Sequence, residues 1–280
     1  MLELRGKEVA DRRREEIRQR LQALAAQGRK PGLALVRLSE DAGARMYADF
    51  LAKSATKEGI AVRQIEPAAA SSQAEALALI RALNADSEVD GVLLLMPLPD
   101  YADRRALLDA LDPAKDIDGL TPTQAGLLAT GRSDAFVPAT ARACMAILTH
   151  YGIETDGKEA VVIGRSDVIG KPVAQLLLAA QCTVTVCHSH TRNLSAVVQR
   201  ADIVVAALGR AQAITKEMIR PGATVIDVGI HRTGGATVGD VDPAVGEVAA
   251  ALTPVPGGVG AVTTTMMLEA VVRACERHAQ

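Results

Sequence analysis

The sequence predicts an α/β protein of two domains, an N-terminal α/β domain followed by a C-terminal Rossmann-type domain with a parallel sheet. Segments with helical apolar periodicity alternate with short runs rich in Val, Ile and Leu along both halves of the chain. Such alternation is typical of right-handed βα crossovers in a parallel sheet. A stretch rich in Pro, Gly, Asp and Thr separates the halves at 113–140. With 280 residues, 49% of them hydrophobic, the chain is long enough for two cores.

In the first half, helical and extended segments follow one another in turn. Helices are predicted near 7–27, 43–58, 72–84 and 102–111. Strands are predicted at 33–38, near 61–65 and at 91–98, where apolar residues form short runs. The stretch 113–140 is predicted to form loops around a domain junction, because Pro and Gly interrupt regular structure.

The second half repeats the alternation. Strands are predicted at 159–164, 182–188, 202–209 and 224–230, with a short one near 251–253. Helices are predicted at about 169–180, near 193–200 and over 262–278. This order again favours a parallel sheet.

Composition excludes several classes of function. The 31 Lys and Arg residues nearly balance the 33 Asp and Glu residues, so a nucleic-acid partner is not expected. No segment approaches the roughly 20 apolar residues of a membrane span, and the charged N-terminus is unlike a signal peptide. We therefore expect a cytoplasmic protein with no membrane contact. The four cysteines lack CxxC spacing, so no metal site is predicted and the thiols are expected to be reduced.

The segment VVIGRSDVIGKPVAQLLL, residues 161–178, indicates a nucleotide site. It places a strand, a glycine turn and a helix in immediate succession, an arrangement that lets backbone N–H groups face a phosphate. Gly170 would let the helix approach the sheet closely. The spacing is G-x5-G and not G-x-G-x-x-G, so an ordinary βα turn is the alternative interpretation.

The following strand indicates which dinucleotide is preferred. An NAD site usually places an acidic residue about 20 positions after the first glycine, but 182–200 contains none. Arg165, Ser189, His190 and Arg192 could instead face a 2′-phosphate. The sequence therefore favours NADP, with a solvated loop as the alternative for these residues.

Several motifs carry a resemblance to a known family. They are DGVLLLMPLP (90–99), PAKDIDGL (113–120), VVIGRSDVIGKP (161–172), VIDVGI (225–230), GDVD (239–242) and TPVPGGVGAVT (253–263). In order and spacing they resemble the methylenetetrahydrofolate dehydrogenase/methenyltetrahydrofolate cyclohydrolase family over nearly the whole chain.

The resemblance implies a domain arrangement and two binding sites. A folate-binding catalytic domain would comprise 1–120 with 264–280, and an NADP-binding domain would comprise 138–262, with a folate cleft between them in what is usually a homodimer. The implied substrate-binding residues are Tyr47, Leu51, Leu95, Pro97, Asp118, Gly257 and Gly258, of which Tyr47 and Asp118 are the candidate catalytic residues. The implied cofactor-binding residues are Gly164, Arg165, Ser166, Ser189, His190, Gly229 and Ile230. Core packing for Tyr47, loop capping for Asp118 and a simple turn for the Gly257–Gly258 pair are the alternatives.

Among the departures from the family motifs, two concern a polar pair of side chains. The family motif D-P-A-S-x-x-Y-V-x-x-K-x-K corresponds to DAGARMYADFLAK, which places Leu51 at the first lysine. The family motif L-V-Q-L-P-L-P corresponds to LLLMPLP, which places Leu95 at the glutamine. Lys53 matches the second lysine, but two helical residues turn by roughly 200°, so it should point away from the face of Tyr47 and Leu51.

These departures bear on the two reactions of the family unequally. Hydride transfer from 5,10-methylenetetrahydrofolate to NADP mainly requires positioning and exclusion of water, whereas opening the methenyl product requires proton transfer. We expect an NADP-dependent dehydrogenase in one-carbon metabolism with weak or absent cyclohydrolase activity. The alternatives are a bifunctional enzyme with a substitute group, a dehydrogenase for another substrate, and a non-catalytic homologue that binds folate or nucleotide.

Overall fold

The computed structural model describes residues 1–66, 68 and 70–278, which form two compact units. The six-stranded unit comprises residues 1–13 and 138–266, and the three-stranded unit comprises residues 14–137 with the described part of 267–280. Each unit contains a parallel sheet and helices. The predicted fold class, two α/β domains with a parallel sheet in the second, is confirmed.

The elements are numbered along the chain. The strands are β1 (Leu2–Glu3), β2 (Gly32–Val36), β3 (Ala61–Ile65), β4 (Gly91–Leu94), β5 (Glu159–Ile163), β6 (Thr183–Cys187), β7 (Ile203–Ala206), β8 (Thr224–Asp227), β9 (His231–Thr233), β10 (Ala236–Val238) and β11 (Ala251–Leu252). The helices are α1 (Gly6–Ala26), α2 (Ala42–Lys57), α3 (Gln73–Ala85), α4 (Arg104–Ala110), α5 (Pro122–Ala129), α6 (Ala139–His150), α7 (Gly170–Ala179), α8 (Leu194–Val198) and α9 (Val259–His278).

In the three-stranded unit, β2 lies between β3 and β4 and pairs with both in parallel. Every residue of β2 and β4 is buried, whereas the edge strand β3 is largely exposed. Apolar residues of β2, β4, α3 and α4 form the core. The helix α2 begins where the side chain of Asp41 accepts a hydrogen bond from the Ala44 N–H at 2.7 Å, because such a cap satisfies a donor that the first helical turn leaves unpaired.

In the six-stranded unit, the strand order is β1-β11-β8-β7-β5-β6 and every pairing is parallel. The central strands are completely buried, as near-continuous apolar runs in parallel sheets usually are. β5 has β7 on one side and β6 on the other, so the chain order reverses there. Ligands of open α/β sheets bind beyond the carboxyl ends of strands at such a point.

Residues 1–13, which the sequence assigned to the first domain, group with the six-stranded unit in the structure. β1 adds to the sheet edge beside β11, and the N–H of Gly6 donates to the carbonyl of Gly257 at 2.8 Å. A strand of two residues is too short to be recognised from periodicity. The predicted range 264–280 also extends two residues beyond those that the structure describes.

The prediction that 113–140 forms loops is wrong in part. Helix α5 occupies the middle of the stretch and α6 begins at its end. Thr121 caps α5, with its hydroxyl accepting from the Gln124 N–H at 3.4 Å, and Pro122 occupies the first turn. Proline is well tolerated there, because the N–H that it lacks would be unpaired anyway.

Other elements differ from the predictions in length or were missed. The strands predicted at 91–98, 202–209 and 224–230 end earlier, at Leu94, Ala206 and Asp227. The β9–β10 hairpin was not predicted. In the described part of the chain, no helix is long and apolar enough to cross a membrane. The four cysteines are free and buried, as expected of reduced structural thiols.

Candidate active site

A pocket of about 290 Å³ lies at the carboxyl end of β8 in the six-stranded unit. Its walls are residues 227–230, Thr237 and residues 254–261. The structure thus brings together Gly229 and Ile230, predicted to bind cofactor, with Gly257 and Gly258, predicted to bind substrate. A Cβ on Gly258 would lie 2.5 Å from the Pro254 carbonyl oxygen, so only glycine lets the chain turn this tightly before α9.

The predicted glycine turn follows β5. Gly164 has φ +131°, and a Cβ there would lie 2.1 Å from the Ala207 carbonyl oxygen. A Cβ on Gly170 would lie 2.2 Å from the Gly164 carbonyl oxygen. The first turn of α7 therefore packs directly on the glycine turn, so the positive end of the helix dipole lies at that turn.

Ser166 already has partners within this turn. Its hydroxyl accepts from the N–H groups of Ile169 at 3.2 Å and Gly170 at 3.4 Å, and its carbonyl accepts from the Lys171 N–H. The side chain remains exposed. Ser166 therefore shapes the start of α7.

The candidate 2′-phosphate residues lie at the ends of neighbouring strands. Arg165 follows β5, and Ser189 and His190 follow β6; all three are exposed. The Gly164 N–H donates to the Cys187 carbonyl at 2.9 Å, which joins the two strand ends. The His190 N–H donates to Nδ1 of His188 at 3.1 Å. An arginine with hydroxyl and imidazole groups in this position is a suitable donor set for a phosphate.

A buried carboxylate pair, Asp227 and Asp240, adjoins the pocket and was missed as a functional feature. Asp227 ends β8 and accepts from the N–H groups of Gly229, Asp240 and Val241 at 2.9 to 3.0 Å. Burial raises the pKa of Asp227, with the charge of Asp240 adding to the effect, while the hydrogen bonds oppose it. The motifs VIDVGI and GDVD contained the signal, because an ionisable residue within an apolar run needs a specific partner.

In the three-stranded unit, α2 buries one face. Leu51 on that face is fully buried and Tyr47 is half-buried, whereas Lys53 is exposed, as the helical rotation predicts. The pKa of Tyr47 is raised to about 12 by burial and then by the negative charge of Asp118. The Tyr47 phenol therefore interacts electrostatically with the Asp118 carboxylate and stays protonated near neutral pH.

The two aspartates of the KDIDG loop have different surroundings. Asp116 is buried and accepts from the Thr121 N–H at 2.7 Å, and burial raises its pKa. Nζ of buried Lys115 donates to the carbonyls of Leu83 at 3.0 Å and Asp86 at 2.7 Å. Asp118 is half-buried near the end of the motif, and its negative charge contributes to the raised pKa of Tyr47.

Leu95 and Pro97 follow β4. The Leu95 N–H donates to the Val36 carbonyl at 2.9 Å, and the side chain is 4% exposed. Pro97 is exposed. Within the described residues, no group of three or more His, Cys, Asp and Glu side chains could hold a metal ion.

Comparison with known proteins identifies two family domains. Residues 4–118 match the tetrahydrofolate dehydrogenase/cyclohydrolase catalytic domain, and residues 138–279 match the NAD(P)-binding domain of the same enzymes. The curated Bifunctional protein FolD of Sorangium cellulosum is 46% identical over 276 residues, which are 98% of this chain and 96% of that protein.

Solved structures give the same result. The bifunctional FolD enzyme of Campylobacter jejuni has a TM-score of 0.95 at 36% identity and covers 99% of both chains. The Trypanosoma brucei FolD, solved with NADP cofactor and an inhibitor, has a TM-score of 0.94 at 34% identity and covers 100% of this chain and 99% of its own. This chain therefore belongs to the tetrahydrofolate dehydrogenase/cyclohydrolase family.

Proposed function

We propose that the chain is an NADP-dependent 5,10-methylenetetrahydrofolate dehydrogenase of one-carbon metabolism, with weak or absent cyclohydrolase activity. The observation that carries the proposal is the burial of Leu51, which is 0% exposed, and Leu95, which is 4% exposed. By the motif correspondence, these residues replace a lysine and a glutamine. A leucine can neither move a proton nor orient a water molecule, so hydrolysis loses its polar pair.

Hydride transfer makes smaller demands on these positions. NADP, when bound, supplies the hydride acceptor. The protein has to position the substrate and exclude water. We propose that Tyr47 and Asp118 hold the pterin ring, with Asp118 accepting hydrogen bonds from it. We also propose Pro97 of the three-stranded unit, and Gly257 and Gly258 of the six-stranded unit, as substrate-binding residues.

The choice of NADP follows from the residues after β5 and β6. Gly164 and Ser166 would bind the diphosphate, and Arg165, Ser189 and His190 the 2′-phosphate, while Gly229 and Ile230 would contact the nicotinamide. The crowded, Cβ-free turn at Gly164 and Gly170 supports a dinucleotide that approaches the backbone closely. The NADP complex of the Trypanosoma brucei relative supports the same choice.

The proposal extends to the organisation of the chain. We propose a folate-binding domain over 1–120 with 264–280 and an NADP-binding domain over 138–262. The family match over 4–118 supports the first boundary, although residues 1–13 and 264–266 group with the six-stranded unit. We also propose a homodimer in the cytoplasm. Sedimentation equilibrium of the purified protein tests the dimer, and a single species of monomer mass would contradict it.

The decisive experiment measures the two activities separately. Purified protein is mixed with 5,10-methylenetetrahydrofolate and NADP, and the formation of NADPH and the fate of the methenyl product are followed independently. We expect NADPH to form while the methenyl product decays at the buffer rate. Hydrolysis well above that rate would disprove the loss of cyclohydrolase activity.

A paired substitution tests the role of the two leucines. Leu51→Lys alone would place an ammonium against an apolar side chain, where desolvation disfavours its charge. The double variant Leu51→Lys, Leu95→Gln should regain some hydrolysis, and the gain should exceed the sum of the single variants because the two side chains act as a unit. A double variant that binds folate but gains nothing would contradict this role.

A fully bifunctional enzyme is the second candidate. The names of curated relatives favour it, because the Sorangium cellulosum, Moorella thermoacetica and Bordetella avium proteins, at 44 to 46% identity, are all called bifunctional. In that case another group would perform the role of the lysine, and the methenyl assay above separates the two candidates directly.

A further inference from the structure

The carboxylate of Asp240 is a buried junction between separate segments of the six-stranded unit. Its side chain is 0% exposed. One oxygen, Oδ2, accepts from the N–H groups of Leu208 at 2.8 Å and Gly209 at 3.0 Å. The other, Oδ1, accepts from the Arg210 N–H at 2.9 Å and lies 2.7 Å from Nε2 of His231. A buried carboxylate requires such donors, because an ion without them is strongly disfavoured.

Of the groups that contact the Asp240 carboxylate in the described part of the chain, His231 is the one that does so through its side chain. Among the described residues, the other donors to the side-chain carboxylates of Asp240 and Asp227 are backbone N–H groups. The His231 side chain is 24% exposed, so the contact is shielded from most of the solvent. With Nε2 protonated, the imidazole donates to the carboxylate, and such a charge-assisted bond is among the stronger ones in proteins.

The contact lies directly beside a wall of the pocket. Gly229 and Ile230 line the pocket and immediately precede His231. A Cβ on Gly229 would lie 2.4 to 2.5 Å from atoms of Asp240, so the backbone is already pressed against that residue. Ile230 is 64% exposed. A Cβ added to Gly260, another residue that lines the pocket, would lie 3.3 Å from Cδ1 of Ile230. The short segment is thus held before Ile230 by Gly229 and after it by His231.

We propose that His231 is a positioning residue: by donating Nε2–H to Asp240, it fixes the Gly229–Ile230 wall against which the nicotinamide ring of the dinucleotide packs. This inference rests on the proposed assignment of the pocket to NADP. Without the imidazole, Gly229 still abuts Asp240 and the pairing of His231 with Val238 of β10 remains, but Ile230 loses the side-chain anchor on its carboxyl side. The wall then has to be ordered at the time of binding, which weakens affinity.

The test compares three variants in the full-length protein. His231→Phe keeps a flat ring and removes the donor, whereas His231→Gln keeps an N–H donor. The matched control is His150→Phe, because His150 has a side-chain exposure of 22% and lies 3.9 Å from a carboxylate oxygen of Glu8, outside the residues that line the pocket. Calorimetry measures the Kd of NADP, and hydrogen exchange measures protection of the 229–231 amides.

Removing one donor to a buried carboxylate should weaken NADP about tenfold. We expect this loss in His231→Phe, substantial recovery in His231→Gln and no change in His150→Phe, with faster exchange at 229–231 only in the first. If His231→Phe binds NADP as tightly as the control and keeps its amide protection, the inference is overturned.

Two further outcomes remain informative. If the wild-type protein does not bind NADP, the proposed cofactor is wrong, and the exchange rates at 229–231 alone decide whether His231 fixes the segment. If His231→Phe does not fold, 15N spectra of the wild-type imidazoles take its place. A His231 Nε2 that is unprotonated, or that exchanges its proton as freely as His150, would refute the contact.

Discussion

At the scale of single residues, the side chains that the site uses differ from their neighbours in what surrounds them. On α2, Lys53 faces solvent and Leu51 is buried, two positions apart. In the KDIDG loop, the Asp116 carboxylate accepts a hydrogen bond from the Thr121 N–H. Asp118 is half-buried, and its charge acts on Tyr47. Residue type alone therefore does not identify a functional group, because burial and partners decide which acid or base is available.

The burial of Tyr47 and the charge of Asp118 predict how the Tyr47 phenol titrates. Folding keeps the Tyr47 phenol protonated, so the stability that it contributes is present below the unfolded pKa of about 10. That stability is lost as the pH rises through the folded pKa of about 12. Asp118→Asn removes the negative charge but not the burial, so the pKa of Tyr47 should fall part of the way toward 10.

The chain has three tyrosines and no tryptophan, so tyrosinate absorbance can be followed directly, with Tyr47→Phe assigning the Tyr47 signal and circular dichroism confirming the fold. Asp49→Asn is the control, because Asp49 is exposed on the same helix and its charge is not among the causes of the shift. Equal effects of the two Asp→Asn changes would refute the electrostatic effect of Asp118 on Tyr47. The same Asp118→Asn variant should bind folate more weakly and NADP normally.

At the scale of elements, apolar periodicity predicted most helices and strands. The composition of 113–140 led to a wrong assignment of its middle part as loop. The apolar runs that became β2, β5 and β7 are unmistakable because both faces of a parallel sheet are covered. The α5 segment was misassigned because Pro122 and Gly126 were interpreted as breakers, although proline suits a first helical turn. The β9–β10 hairpin has strands of three residues each, too short for alternation to be recognised.

Only those parts of the candidate site that depend on residue type could be predicted from the sequence. Glycines that permit close approach, such as Gly164 and Gly258, are visible in sequence because no other residue fits. The Asp227–Asp240 pair was not recognised, because its partners, apart from the His231 side chain, are backbone N–H groups of segments that only the fold brings together. Hydrogen bonds to backbone carry no pattern of residue types.

Two glycines of the three-stranded unit offer a matched test of the KDIDG loop. Gly119 and Gly131 have left-handed φ values of +64° and +71°. A Cβ on Gly119 would lie 2.3 Å from the Phe136 carbonyl oxygen, whereas nothing lies within 4 Å of a Cβ on Gly131. Gly131→Ala should therefore lose about 1 kcal/mol for the backbone conformation alone, and Gly119→Ala about 1–3 kcal/mol more.

Urea unfolding measures both losses of free energy, and folate binding provides a second measurement. Gly119→Ala should also weaken folate, because any shift of this turn moves Asp118, whereas Gly131→Ala should not. Equal losses of stability in the two variants would mean that the loop relaxes freely and does not hold Asp118 in place.

At the scale of the whole molecule, the candidate groups divide between the two units. The dinucleotide residues, from Gly164 to Ile230, belong to the six-stranded unit, and so do Gly257 and Gly258. Tyr47, Leu51, Leu95 and Asp118 belong to the three-stranded unit. Helices α1 and α9 contribute residues to both units. A ligand specific to one unit should accordingly stabilise the elements of that unit first.

This division predicts where NADP protects the protein from hydrogen exchange. At a free concentration 100 times its Kd, NADP should add about 2.7 kcal/mol to the stability of the form that binds it. Protection should therefore rise in β5, β6 and β8 and in the turn after Gly164, with little change in β2 and β4.

Arg165→Ala should require about 10- to 100-fold more NADP for the same protection, because it removes a charge-assisted contact to the 2′-phosphate, whereas the response to NAD should change little. Protection by NADP that is as large in β2 and β4 as in β5 would contradict the assignment of the dinucleotide to the six-stranded unit. An unchanged requirement for NADP in Arg165→Ala would contradict the role of Arg165, since the exposed guanidinium would then make no contact with the cofactor.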